Sequence, residues 1–140
     1  MKARPTKQEI TQQLMAGRNC AQCVLGQFAQ LVDYDQEETD KMAACFGGGM
    51  LMGQTCGAVT GGLIAIGLFS QSREEAEKKG AAFEQAFKKR YGSTLCEELL
   101  GYNMGVPEQA EQARASGKLL DDCPGFIGGA MEILEPILED

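Results

Sequence analysis

The sequence predicts an all-α fold: a single-domain, compact helical bundle of about six to eight helices with a buried, glycine-rich central helix. Capping signatures recur along the chain, and apolar residues repeat at intervals of three and four. No run of alternating apolar and polar residues bounded by hairpin turns is present. The 140 residues are the length of one domain and contain no linker or repeat, so residues 1–140 are predicted to fold as one unit.

Three segments carry the signature of a helix N-terminus. In each, an N-cap residue is followed three positions later by a glutamate, an arrangement that satisfies free backbone N–H groups at a helix start. These pairs are Thr6 with Glu9, Asp35 with Glu38, and Ser72 with Glu75.

Four segments with helical periodicity complete the prediction. Polar caps, apolar stripes, proline in a first turn and glycine after a last turn delimit them. They run from about Asn19 to Val32, from Ser72 to Gly92, from Pro107 to near Gly117, and from Phe126 to Leu138 with a bend near Pro136.

No charged residue occurs between Met42 and Ser72. The stretch 50–69 is long enough to cross a bilayer, but polar residues and glycines lower its hydrophobicity, and no Trp or Tyr flanks it. We therefore expect no stable membrane insertion and place a helix without a polar face in the middle of the bundle.

Glycines at 49, 53, 57 and 61 form a stripe that permits close helix approach. Neither a P-loop nor a dinucleotide fingerprint fits these glycines.

The composition excludes several classes of function. With 13 basic and 20 acidic residues, the net charge is −7, which argues against nucleic acid and anionic membranes as partners. Histidine is absent, so the commonest general base and zinc ligand are missing. The first ten residues lack the apolar core of a signal peptide, so we expect a cytoplasmic location, where static disulfides are rare.

Four of the six cysteines are predicted to lie in first helical turns. Cys20 follows Asn19, Cys56 follows Thr55, Cys96 lies three residues after Ser93, and Cys123 follows Asp121 and Asp122. A helix N-terminus lowers a thiol's pKa, which favours redox chemistry or metal ligation over inert packing. The other two, Cys23 and Cys45, are predicted to be small buried hydrophobic residues.

The segment CGAVTG, from Cys56 to Gly61, resembles the Cys-Gly-Ala-x-x-Gly signature of the redox-active proteins called the C-GCAxxG-C-C family. Three further motifs resemble that family in order: the segment NCAQ from Asn19, the segment CEELLG from Cys96, and Cys123 with the helix after it. The resemblance covers Asn19 to about Leu138 and implies that Cys20, Cys56, Cys96 and Cys123 are the functional set. A similar domain in split-Soret cytochromes is associated with an iron–sulfur centre, although their haem motifs are missing here.

Three functions remain open at this point. The four cysteines could ligate one iron–sulfur cluster for electron transfer or redox sensing, or cycle as thiol/disulfide pairs with three alternative connectivities. The third alternative is a non-enzymatic helical binding protein whose four cysteines hold a structural zinc ion or only pack. Whether the chain is an oxidoreductase or an electron carrier also stays open. The redox alternatives imply a redox partner protein of unspecified identity, and a homodimer is an open alternative.

Overall fold

Eight α-helices lie within residues 3–140, the part of the chain that the computed structural model describes. This all-α architecture confirms the predicted fold class, and its only strand-like feature among these residues is one isolated bridge. The helices are α1 (Lys7–Met15), α2 (Cys20–Ala29), α3 (Gln36–Met42), α4 (Gly57–Phe69), α5 (Arg73–Tyr91), α6 (Cys96–Leu100), α7 (Pro107–Ala115) and α8 (Lys118–Glu139). A 3-10 turn, Gln30–Val32, extends α2.

The predicted N-caps at Thr6, Asp35 and Ser72 are confirmed, since each accepts a hydrogen bond from the backbone N–H three residues on. Only Thr6 also shows the reciprocal bond from its own N–H to the glutamate. In α5, the glutamate at position 75 instead accepts from the backbone N–H of Gln71. The helix starts were therefore predicted correctly, whereas the full capping box forms at one of the three sites.

Helix α4 is the predicted central helix, and two of its glycines set its distance from α2. A Cβ atom on Gly61 would lie 2.5 Å from the carbonyl oxygen of Ala21. A Cβ on Gly57 would lie 2.9 Å from the Ala21 nitrogen and 3.0 Å from the Cys20 Cβ. Because no larger residue fits at this separation, the glycines of the CGAVTG segment bring the start of α4 against the start of α2.

Helix α8 closes the bundle by packing against α1, α2, α4, α5, α6 and α7. It is longer than predicted: it begins at Lys118, directly after Gly117 in the left-handed conformation, and runs through both Pro124 and Pro136. Its buried face includes Ile127 and Leu134. The helix start predicted at Asp121 and Asp122 was wrong, because both residues and Pro124 lie inside the helix.

The segment Gly49–Gly53, between α3 and α4, follows an unusual backbone path. Four successive residues, 48 to 51, have positive φ angles, and two of them, Met50 (58°) and Leu51 (64°), are not glycine. The glycine stripe therefore continues into a left-handed turn rather than into a regular helix at this end. Leu51 is 59% exposed.

No helix in the range 3–140 combines the length and the apolar character needed to span a membrane.

A candidate thiol redox site

The start of α2 places Cys20 at the first helical position. The Asn19 side chain caps the helix by accepting from the backbone N–H of Gln22, whose side chain accepts in return from the Asn19 N–H. The Asn19 amide nitrogen also donates to the carbonyl groups of Ala43 and Ala44. The predicted cap is therefore confirmed, and it ties Cys20 to the loop that follows α3.

Arg18 connects the start of α2 to α1 and α3. Its guanidinium pairs with Asp40 of α3 at 2.7 Å and donates to the side chain of Gln13 and the carbonyl of Gln22. This clamp joins α1, α2 and α3 around the residue before Asn19. The sequence showed no sign of the ion pair, because Asp40 lies 22 residues further along the chain.

Cys56 and Cys96 are brought together by the isolated antiparallel bridge between Thr55 and Leu95. The Cys56 N–H donates to the carbonyl of Thr94 at 2.8 Å, and the Cys96 N–H donates to the carbonyl of Gln54 at 2.6 Å. Each cysteine thus lies one residue after the bridge, at the start of its own helix. The bridge explains how two motifs far apart in sequence converge.

The predicted caps at these two cysteines were wrong in detail. Thr55 belongs to the bridge, and Cys56 itself is the N-cap of α4. Leu95 is the N-cap of α6, while the Ser93 hydroxyl accepts from the Leu95 N–H and bonds to Glu98. Both cysteines nevertheless lie at helix starts, as expected.

Cys123 departs from the prediction. It lies in the second turn of α8, because that helix already begins at Lys118 and includes Asp121 and Asp122. It belongs to a small hydrophobic cluster with Cys96 and Leu100, against which Cys20 packs. A cysteine-containing cluster, rather than a helix N-terminus, is therefore the main feature of its environment.

The four thiols converge around Cys20. Its side chain packs against both hydrophobic clusters of the bundle, one containing Cys56 and the other containing Cys96 and Cys123. Cys56, Cys96 and Cys123 are 4%, 6% and 7% exposed, whereas Cys20 is partly exposed. The structure thus brings the four predicted site residues into one neighbourhood and leaves Cys20 the most accessible.

Burial raises the thiol pKa values that the helix starts were predicted to lower. The Cys123 thiol and then burial raise the pKa of Cys20, while its own backbone N–H opposes them. Burial raises the pKa of Cys56 despite the N–H groups of Ala58 and Val59, and raises that of Cys96 to about 11. Helix-end amides therefore act in the expected direction on Cys20 and Cys56, but the Cys123 thiol beside Cys20 and the burial of Cys56 are larger effects.

The remaining two cysteines differ from each other. Cys23 is 2% exposed in the core, as predicted, and burial raises its pKa to about 12. Cys45 is exposed, so the prediction that it is buried was wrong. It lies beyond the end of α3 in a turn, where no helix covers it.

A cleft of about 480 Å³ opens beside the site and is lined by the Cys20, Cys96 and Cys123 residues. Leu14 and Met15 of α1, Leu100 of α6, Met104, and Leu119 and Leu120 of α8 supply most of its wall. Because these residues come from distant segments, no sequence pattern indicated the cleft. Cys56 does not line it.

No three side chains of cysteine, aspartate or glutamate are arranged to hold a metal ion among the residues from 3 to 140. As donors, four cysteines match the ligands of an iron–sulfur cluster or of zinc. Their arrangement fits a cluster less well, since no three of these described side chains are placed around one point.

A family model described as "Putative redox-active protein (C_GCAxxG_C_C)" matches residues 18–137. The matched range contains the CGAVTG segment and all four cysteines of the site. No curated protein and no solved structure matches the chain. The resemblance drawn from the four cysteine motifs is confirmed.

Proposed function

We propose that this chain, which belongs to the C_GCAxxG_C_C family, is a thiol-based redox protein in which Cys20 and Cys123 cycle between two thiols and a disulfide. One observation carries the proposal: Cys20 and Cys123 line the same open cleft, and Cys20 packs against the hydrophobic cluster that contains Cys123. Interaction with the Cys123 thiol is also the largest cause that raises the pKa of Cys20. A disulfide requires the two sulfurs to approach to about 2 Å of each other.

The proposed reaction is the two-electron oxidation of the Cys20 and Cys123 thiols to a disulfide. Oxidation breaks two S–H bonds, forms one S–S bond, and releases two electrons and two protons to an acceptor. A redox partner protein would supply the electrons that reverse the reaction. Because the Cys123 thiol and burial raise the pKa of Cys20, its thiolate is scarce at neutral pH, so a reacting partner must also take up its proton.

Cys96 is the third cysteine among the residues that line the cleft. Its charge state is coupled to that of Cys20. Cys56 is also coupled to Cys20 but is covered by the helix packing around Gly57. We assign Cys96 as the alternative partner of Cys20, and Cys56 as a buried thiol whose pKa is raised by burial and by the neighbouring Cys20.

An iron–sulfur cluster held by Cys20, Cys56, Cys96 and Cys123 is the second candidate. The convergence of three thiols on Cys20 favours it. A cluster would supply one-electron transfer, with the cysteines as thiolate ligands. A disulfide needs only Cys20 and Cys123 to meet, whereas a cluster needs several of these side chains around one point. The arrangement of the described residues therefore supports the disulfide better.

Thiol counting on protein purified without oxygen tests the proposal. After treatment with diamide, we expect the wild type to lose two thiols and to yield one peptide linking Cys20 and Cys123. The variants Cys20→Ser and Cys123→Ser should each fail to form that link. Cys45→Ser, which removes an exposed thiol outside the site, is the matched control and should form it normally.

Metal analysis of the same samples separates the alternatives. Iron and sulfide in stoichiometric amounts, with visible absorption, would contradict the disulfide proposal in favour of a cluster. One zinc per chain, with loss of fold in chelator, would favour a structural site instead. Metal-free protein whose thiols all stay free under diamide would favour cysteines that only pack.

A further inference from the structure

The walls of the cleft are apolar up to its mouth. Leu14, Leu100 and Leu119 line it, and two large apolar side chains at its edge, Met15 and Leu120, are 71% and 41% exposed. Exposed apolar side chains that meet at one opening are characteristic of sites that bind apolar ligands. The volume of about 480 Å³ is in the usual range for a small-molecule site.

Charge in the cleft is confined to two cations. Of the described residues that line it, Arg18 and Arg114 alone are charged, and no carboxylate is among them. Arg18 is engaged by Asp40 and Gln13, whereas Arg114 forms no ion pair within residues 3–140. A single unpaired guanidinium beside apolar walls offers hydrogen bonds to an oxygen atom of an otherwise apolar ligand.

Two of the residues that line the cleft, Cys20 and Cys123, also limit which chemical class of ligand can react there. Two adjacent thiols give up electrons in pairs, together with two protons, so a matching acceptor takes two electrons and two protons. We propose, on the basis of the thiol function above, that this cleft binds a quinone and that the Cys20 and Cys123 pair reduces it. The quinone ring fits between the apolar walls, and Arg114 donates to a carbonyl oxygen.

The reaction balances without another reactant. The S–H bonds of Cys20 and Cys123 break and an S–S bond forms, so the dithiol is oxidised to a disulfide. The two electrons reduce the quinone to a hydroquinone, whose two oxygen atoms take up the two protons. Negative charge develops on those oxygens during the transfer, and the guanidinium of Arg114 stabilises it.

Duroquinone (tetramethyl-1,4-benzoquinone) is a suitable probe because its ring carbons are all substituted, which blocks addition of thiols to the ring. The full-length, reduced, metal-free protein is mixed with it in the absence of oxygen. Loss of the quinone absorbance and the amount of the Cys20–Cys123 linked peptide are followed together. We expect one hydroquinone per disulfide and a rate that saturates with duroquinone concentration.

Two variants with matched exposure test the cleft. Leu120→Lys places a charge at its edge and should lower the duroquinone rate constant at least about tenfold, since a hydrated ammonium group replaces an apolar contact with the ring. Leu31→Lys changes a residue of similar exposure, 44%, that does not line the cleft, and should keep the wild-type rate. Diamide, a polar oxidant, should oxidise both variants at similar rates.

The outcomes distinguish this inference from the proposed function. If diamide forms the Cys20–Cys123 disulfide while duroquinone does not react, or reacts equally with both variants, the quinone proposal is overturned and the thiol function stands. If neither oxidant forms the disulfide, both fail. Decanoate binding in the cleft without any quinone reaction would overturn the quinone proposal in favour of an apolar carboxylate ligand.

Discussion

Cys20, at the first position of α2, and Cys123, in the second turn of α8, line the same cleft, and Cys20 packs against the hydrophobic cluster that contains Cys123. Packing of α4 against α2 fixes one side of this contact, and packing of α8 against both helices fixes the other. Two motifs at opposite ends of the chain thus meet at one edge of a cleft. The following predictions concern the packing, ionisation and backbone strain that maintain this arrangement.

Gly61→Ala should destabilise the protein by about 1–3 kcal/mol, because the added methyl group meets the backbone of Ala21 and forces α4 away from α2. Gly67→Ala is the matched control in the same helix. No atom lies within 4 Å of a Cβ at that position, so alanine should raise the free energy of unfolding by about 0.5–1 kcal/mol. Urea unfolding of both variants measures the difference, and equal effects would contradict the close-packing account.

The reduced protein should lose stability as the pH rises above about 9. Burial raises the pKa of Cys23 to about 12 and that of Cys96 to about 11, so the folded chain holds protons that the unfolded chain releases. This contribution is complete below the unfolded pKa and decreases by up to about 1.4 kcal/mol per pH unit for each thiol above it.

Cys23→Ala checks that prediction by removing one of these thiols. Between pH 9 and pH 10.5, its free energy of unfolding should fall less steeply than that of the wild type, by about 1 kcal/mol per pH unit. Cys45→Ala removes an exposed thiol and should keep the wild-type slope. Identical slopes in all three proteins would show that burial of Cys23 does not control its ionisation.

Leu51→Gly should stabilise the protein by about 1 kcal/mol, since a left-handed backbone costs a leucine roughly 1–2 kcal/mol and costs glycine little. Leu51 has φ 64° and is largely exposed, so little packing is lost. Leu31→Gly, at a similarly exposed position without a positive φ, should destabilise by about 0.5–1 kcal/mol. Thermal unfolding would contradict the strain account if both substitutions destabilised equally.

Local interactions made much of the fold predictable from the sequence. The caps at Thr6, Asn19, Asp35 and Ser72 depend on a side chain and a backbone N–H three residues apart, so the sequence shows both partners. The absence of charge around α4 likewise indicated a buried helix. These features need no knowledge of which helices are neighbours.

The predictions from the sequence were wrong where contacts between distant segments determine the structure. Asp121, Asp122 and Pro124 imitate a helix start, but α8 already begins at Lys118 after the left-handed Gly117. The helix-start argument predicted the right sign for the local effect on Cys20 and Cys56. The net shift in pKa is nevertheless upward, because of the Cys123 thiol and burial at Cys20 and because of burial at Cys56. The cleft was unpredictable for the same reason, because α1, α6 and α8 supply its walls.

A redox titration of the linked peptide tests the central claim most directly. Metal-free protein is equilibrated at a series of thiol–disulfide buffer potentials, quenched with acid, alkylated and analysed by mass spectrometry. We expect the Cys20–Cys123 peptide to appear and disappear reversibly as a single two-electron transition, with the other four cysteines alkylated throughout. A titration in which Cys20 and Cys123 remain alkylated at every potential, or in which only other pairs are linked, would contradict the account.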